Sequence, residues 1–458
     1  MKTFVVAATQ SGAGKTTIAL AFITALKRRG LVVQPFKVGP DFIDPGHHTL
    51  AAGRVSHNLD GWMLSQEENM AIFNRHAGEA DVAVIEGVMG LYDGFSPIEE
   101  DGSTAQMAKW LNAPVALVMD ARAMARSVAA VAKGFAVFDP ALKWAGLIGN
   151  RVGGVGHAAL LKESMTLVPE MRFLGGLKRN TEIGMDERHL GLITVQEGGL
   201  SEERLKTLGD WLEEGIAVDA FLQDLPDYQL GPLREEPGEQ PDRGVVIGVA
   251  RDKAFCFYYG ENLRRLEEAG ARLAYFSPLE DRTLPAGVQG IYLGGGYPEL
   301  FAERLTENAP LRHEISRLSK AGMPLYAECG GMMYLGEAME DLDGRTWEMV
   351  GALPLKTRML KRLRSLGYRE VTFAVDTPLG PAGAVSRGHE FHYSEIVRIS
   401  PSHNINVRAY DVAGRKGPLP ETSGFMTENT LASYAHLHFG SNPALAHNFI
   451  SSCRRWKG

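Results

Sequence analysis

Phe4-Val5-Val6-Ala7-Ala8-Thr9-Gln10-Ser11-Gly12-Ala13-Gly14-Lys15-Thr16-Thr17 passes from an apolar pentapeptide through a glycine-bearing turn into Ile18-Ala19-Leu20. The uninterrupted apolar run reads as a buried strand. Thr16 to Arg29, with apolar Ile18, Leu20, Phe22, Ile23 and Leu26, reads as a helix. A strand, a Gly-rich turn and a helix N-terminus in this order form a cradle for phosphate oxygens. Gly12 and Gly14 let the backbone close on the anion, Lys15 reaches the β- and γ-phosphates, Thr16 reaches Mg²⁺ and Thr17 follows in the loop pattern. Thr9 stands where that pattern has its first glycine.

Outward from this loop, strands alternate with helices. Val32 to Val38, Val82 to Ile85, Pro114 to Met119 and Trp144 to Ile148 read as strands, and Thr104 to Leu111 and Ala121 to Phe135 as helices. The alternation predicts a mostly parallel sheet with helices on both faces. Ligands of such sheets lie beyond the carboxyl ends of the strands. Asp41 and Asp44 follow the strand at Val32 to Val38, and Glu86 follows Ile85, so these carboxylates are expected to face the phosphate loop. Hard Mg²⁺ takes oxygen ligands and keeps several waters, and Thr16, Asp41 and Glu86 are the expected set.

The chain has 458 residues, 45% hydrophobic and 22% charged, which fits a folded globular protein. Its 48 Lys and Arg against 55 Asp and Glu give a net charge of −7, so no global basic field holds a nucleic acid or an anionic membrane. No apolar stretch approaches the roughly 20 residues that span a bilayer. The opening residues do not read as a signal peptide. Three cysteines, far apart and without a CxxC spacing, disfavour a disulfide framework or a zinc site, and a cytoplasmic location is the expectation.

Periodicity fails between Gln223 and Gly244, where Pro, Gly and acidic residues crowd. The expected division is a first domain over 1–225, a linker over 226–243 and a second domain over 244–458. In the second, Leu325-Tyr326-Ala327-Glu328-Cys329-Gly330-Gly331 sets a cysteine between a strand and a helix, where the helix dipole favours a thiolate. Ser433-Tyr434-Ala435-His436-Leu437-His438 supplies two histidines as candidate bases on one face. Gly294-Gly295-Gly296, after the strand Gly290 to Leu293, offers backbone amides for an oxyanion hole. His389-Glu390-Phe391-His392 has a spacing of three rather than four and is not read as a zinc site.

These motifs, with Phe36-Lys37-Val38-Gly39-Pro40-Asp41-Phe42-Ile43-Asp44 and Val84-Ile85-Glu86-Gly87-Val88-Met89-Gly90-Leu91-Tyr92-Asp93-Gly94, resemble the cobyrinate a,c-diamide synthase family over essentially the whole chain. The resemblance implies an α/β chain of two domains. The first is a dethiobiotin-synthetase-like ATP domain and the second a class I-like glutamine amidotransferase domain. It implies ATP- and glutamine-dependent amidation of the a and c acetates of a corrinoid in cobalamin biosynthesis, through an acyl phosphate. Cys329 and His436 are then catalytic, Asp41, Phe42, Ile43, Asp44, Glu86 and Asp93 lie at the substrate or acyl-phosphate region, and Asn150 matches an adenine-binding asparagine. Small-molecule partners are implied, and a homodimer is left open.

Ordinary class I amidotransferases carry an acid two places after the catalytic histidine. Here that place is His438, so the orienting member of the triad is unassigned. Nickel-sirohydrochlorin and hydrogenobyrinate stand as alternative substrates of the same chemistry. A nucleotide-switched scaffold like the partition ATPases is disfavoured, because Gln10 occupies the place of their signature lysine.

Overall fold

The structure is a computed structural model that describes residues 1–184, 187–188, 191–192, 198, 200–231, 244–399, 405–406, 408–419 and 423–457. The chain forms two compact units, Met1–Arg234 and Glu235–Gly458. Residues 232–243 of the expected linker lie outside the described residues. The start of that linker is not free-standing. Tyr228 N donates to Met1 O (2.8 Å), and its ring packs edge-on against Phe73 (5.4 Å). Among the described residues no helix is long and apolar enough to cross a membrane.

The first unit runs β1 (Lys2–Ala8), α1 (Lys15–Arg28), β2 (Val33–Val38), α2 (Ile43–Ala52), β3 (His57–Leu59), α3 (Gln66–Ala77), β4 (Val82–Glu86), α4 (Thr104–Trp110), β5 (Val115–Asp120), α5 (Ser127–Phe138), β6 (Trp144–Val152), α6 (Val155–Ser164) and β7 (Phe173–Lys178). A two-residue pair, β8 (Glu187–Arg188) and β9 (Gly191–Leu192), precedes α7 (Glu202–Gly215) and α8 (Val218–Asp224). Seven strands form one sheet in the order β3-β2-β4-β1-β5-β6-β7, all parallel. Both faces are covered, which is why β1, β2 and β4 are buried along nearly their whole length instead of on alternate residues. Ile18 to Leu26 of α1 are buried on nearly every side, and each such Ile, Leu or Phe contributes roughly 1.5–3 kcal/mol.

The strand order reverses at β1, so the crevice opens beyond its carboxyl end, where the phosphate loop begins. One helix differs from expectation: α5 starts at Ser127 instead of Ala121. Ala123 takes φ +55°, and Asp120 draws in Arg122 and Arg151, so the chain turns there before coiling.

The second unit contains β10 (Val245–Ala250), α9 (Gly260–Glu268), β11 (Ala271–Phe276), β12 (Val288–Leu293), α10 (Ala302–Glu307), α11 (Ala309–Lys320), β13 (Leu325–Glu328) and α12 (Gly330–Leu335). Its main sheet has the order β11-β10-β12-β13, continued by Thr430–Ser433, Phe425–Thr427 and Ile405–Asn406. The strand Thr430–Ser433 runs parallel to β13 with Glu328 opposite Ser433. This register sets the segment after Ser433 beside the end of β13. A second sheet pairs Ser365–Phe373 with Val385–His392, and the latter with His436–Leu437, which places His389 opposite His436.

Candidate catalytic centres

In the first unit the loop between β1 and α1 needs its glycines for separate reasons. Gly12 has φ +75° and open space around it; Gly14 has φ +101°, and a Cβ there would stand 2.4 Å from Asn150 Nδ2. Asn150 is therefore turned to this loop. Its Nδ2 donates to Ala13 O (2.8 Å), and its Oδ1 accepts from Arg151 N (2.8 Å). Asn150 thus ties the end of β6 to the phosphate loop, where the expectation places the nucleotide. Gly14→Ala is expected to weaken ATP binding about 10- to 100-fold, through positive-φ strain and displacement of Asn150. Nucleotide titration of the variant checks this, and an unchanged affinity would show that the loop tolerates the shift.

Beyond the loop, the ends of β2 and β4 meet. Lys37 Nζ donates to Asp44 Oδ2 (2.5 Å) and Glu86 Oε1 (2.8 Å), with Lys37, Asp44 and Glu86 all buried. Thr16 Oγ1 donates to Glu86 Oε1 (2.6 Å) and lies 3.4 Å from Asp44 Oδ2. His48 Nε2 contacts Glu86 Oε2 at 2.7 Å. Burial works against the Glu86 carboxylate, yet Lys37 and His48 outweigh it and hold the group well below the usual carboxylate range. Burial likewise opposes the Lys37 charge, but Asp44, Glu86 and Asp41 raise it, so the ammonium persists.

Asp41, expected with Thr16 and Glu86 at the metal, lies 4.0 Å from Lys37 Nζ through its Oδ2. Its Oδ1 accepts from Ile43 N (2.7 Å) and Asp44 N (3.1 Å) at the start of α2, and Asp44 takes the place near Thr16. The Asp41 side chain keeps 34% of its surface exposed, and burial with the neighbouring Asp44 raises it to about 7. Thr16, Asp44 and Glu86 form an oxygen-only donor set that fits a hard divalent cation. Phe42 and Ile43 are half-buried at the start of α2. Asp93 Oδ2 accepts from Gly90 N (2.9 Å) and so shapes the loop after β4. That loop is further pinned by Thr104 Oγ1, which bonds both Val88 N and Val88 O (2.9 and 3.1 Å). Lys15 Nζ donates to Met89 O in the same loop, and burial lowers its pKa.

In the second unit the nucleophile candidate sits on a sharp elbow. Cys329 has φ +46° and ψ −103° at the N-cap of α12, a conformation an L-residue adopts only under constraint. Its amide donates to Ser433 O (2.8 Å), and Met333 N donates to its carbonyl (3.0 Å). Gly330 and Gly331 are obligatory: a Cβ at 331 would stand 2.4 Å from Leu293 O, and one at 330 would lie 2.9 Å from Pro298 and 3.1 Å from Gly296 N. The thiol is buried, and desolvation with Glu299 nearby raises its pKa, so a base is needed to form the thiolate.

His436 is buried with its ring stacked on that of His389 (5.0 Å, 17°) and its Cε1 edge against Gly295. Burial lowers His389 well below the usual histidine range, so this neighbour stays neutral. Of the three expected oxyanion amides, two are already engaged by the fold. Gly294 N donates to Tyr258 Oη (2.8 Å) and Gly295 N to Phe257 O (3.3 Å). Gly296, beside Gly330 at the elbow, is the remaining member of the triple glycine in position for that task.

The sequence assigns no role to Lys37 or Glu328, whereas it reads His47-His48, after Asp44-Pro45-Gly46, as the start of a helix near the substrate site. A lysine in a strand shows no sign of the carboxylates that β4 and α2 deliver to it. Glu328 adjoins the nucleophile, and its partners come from strands far away in sequence.

A sequence model described as a CobQ/CobB/MinD/ParA nucleotide binding domain matches residues 4–192, and one for a CobB/CobQ-like glutamine amidotransferase domain matches residues 246–444. The chain is similar to the cobyrinate a,c-diamide synthase of Syntrophotalea carbinolica (44% identity, 98% of each chain). It is also similar to the enzymes of that name from Leptospira interrogans (43%, 98% of each chain) and Salmonella typhimurium (42%, 99% of this chain and 98% of the relative).

Proposed function

The chain belongs to the cobyrinate a,c-diamide synthase family, and from that premise we propose that it amidates the a and c acetates of cobyrinate with ATP and glutamine. One observation carries this reading: a phosphate loop faced by a buried lysine-carboxylate cluster and a cysteine on a strained elbow occur in one polypeptide.

Cys329 Sγ passes its proton to His436 and attacks the side-chain amide carbon of glutamine. The same proton goes to the departing nitrogen as the C–N bond breaks, which releases ammonia and leaves a thioester that water hydrolyses to glutamate. In the first unit the γ-phosphoryl group of ATP passes to a substrate carboxylate. Ammonia then displaces phosphate from the acyl phosphate, giving an amide. Lys15 and Lys37 neutralise charge on the transferring group, and the fixed carboxylates orient the acceptor. Thr16, Asp44 and Glu86 would hold Mg²⁺, which when bound supplies charge neutralisation at the phosphates.

Turnover of cobyrinate, hydrogenobyrinate and nickel-sirohydrochlorin, measured side by side with ATP and glutamine, tests the substrate. Two amides per cobyrinate are expected. Failure with all three would sink the reading, and preference for either of the others would replace the substrate.

A further inference from the structure

We propose that Glu328, the residue directly before the nucleophile, is the carboxylate that orients His436 and stabilises its protonated form. This deepens the reading of Cys329 as nucleophile and His436 as base, and rests on it.

The place two residues after the catalytic histidine cannot supply the charge. His438 is buried, desolvation lowers it to about 3, and its Nδ1 accepts from Gly440 N (3.0 Å) while its ring lies 4.6 Å from that of Tyr259. A neutral imidazole there offers nothing anionic to His436. Glu328 does: its Oε2 lies 3.6 Å from His436 Nδ1, with both side chains essentially sealed from solvent. That separation is too long for a hydrogen bond and within ion-pair range once the imidazole takes a proton. Contacts of this kind tighten when substrate binds.

The carboxylate is held for the task. Tyr292 Oη donates to Oε2 (2.9 Å), and Tyr326 Oη (2.6 Å) and Leu437 N (3.0 Å) donate to Oε1. Two phenols and one amide thus fix its plane from β12, β13 and the strand that carries His436. Those donors satisfy both carboxylate oxygens in a dry site, where an unpaired polar group would be costly. The elbow explains how adjacent residues serve one imidazole: Glu328 keeps strand geometry, and the left-handed turn at Cys329 redirects the next side chain.

A competing role is purely mechanical, since the bond from Leu437 N ties two strands together. The pH dependence separates the two. The titratable groups around His436 are Glu328 from the end of β13, with His389, Glu390 and His392 from the strand Val385–His392. Burial lowers both His389 and His392 and raises Glu390, so Glu328 is the group whose removal most directly changes the His436 base.

In the full-length protein, Glu328→Gln keeps the shape and an acceptor for Leu437 N but removes the charge. The expected result is a loss of about 100-fold or more in kcat for glutamine hydrolysis, with KM for glutamine little changed. The acid limb of kcat/KM should move to lower pH, because the imidazolium loses its counter-ion. Ammonia-dependent amidation should stay within about two-fold. Tyr292→Phe tests the same idea in the opposite sense. It frees Oε2 from a phenol, strengthens its hold on His436 and should move the acid limb to higher pH. Glutaminase kcat within two-fold of the parent for Glu328→Gln, or an acid limb unmoved in both variants, overturns the proposal. Should Glu328→Gln fail to fold, the Tyr292→Phe limb alone decides it. Retained glutaminase activity in Cys329→Ala would instead overturn the underlying assignment, whatever Glu328 does.

Discussion

Replacing Cys329 by Ala is expected to reduce glutamine-dependent amide formation by on the order of 10³-fold or more, while the reaction supplied with free ammonia stays within about two-fold. The loss follows from chemistry: no other cysteine of the chain sits on an elbow, since Cys453 is buried within α-helical packing and Cys256 lies in the loop before α9. The sparing follows from structure. Alanine has the same Cβ as cysteine, so the positive-φ conformation at 329 is no more strained in the variant, and the packing of Gly330 and Gly331 against residues 293–296 is untouched. Rates of product formation with glutamine and with ammonium chloride check both halves. Equal rates with the two nitrogen sources would show that glutamine is opened elsewhere.

The second large effect is expected at Lys37. Lys37→Met removes the only ammonium bonded to both Asp44 and Glu86 among the described residues, and leaves two buried carboxylates facing each other. Breaking a buried ion pair on one side costs about 3–5 kcal/mol of stability. Amide formation should fall on the order of 10³-fold, as when a cation at a transferring phosphoryl group is lost. Glutamine hydrolysis in the second unit serves as the control for a folded chain.

The stability deficit carries a sign in pH. Glu86 is depressed in the folded protein, so its contribution is fully present above the unfolded carboxyl value of about 4.3 and is lost as pH falls through the folded value. Without Lys37 the carboxyl rises, and protonation relieves its burial. The gap between parent and variant should therefore be widest near neutrality and narrow on acidification, as urea unfolding at a series of pH values would read. Normal amidation with a neutral-pH deficit would make Lys37 a structural counter-ion alone.

Local order accounts for what the sequence by itself determined. Buried parallel strands are mostly apolar, and their turns are marked by glycine, so β1, β2, β4, β5, β12 and β13 are readable within a residue or two, as are the phosphate loop and the cysteine elbow. Both features depend on backbone conformations that only a few residue types allow, Gly12 and Gly14 at positive φ in one, Gly330 and Gly331 at close backbone contacts in the other. The start of α5 was misread because the apolar periodicity continues through Ala121 to Met124 while Ala123 at φ +55° breaks the coil.

Tertiary structure decided the partners. Which of Asp41 and Asp44 stands by Thr16 depends on which carboxylate starts α2 by accepting its amides, and no spacing in the motif distinguishes them. Lys37, His48 and Glu86 meet because β2 and β4 are neighbours in the sheet although 49 residues separate Lys37 from Glu86. Glu328 and His436 meet because β13 pairs in register with Thr430–Ser433, more than a hundred residues away along the chain. A sequence specifies a turn through the residues that the turn excludes, whereas a buried charge is specified by whatever the sheet carries to it. Phosphate loop and nucleophile therefore announce themselves locally, and the groups that hold and charge them do not.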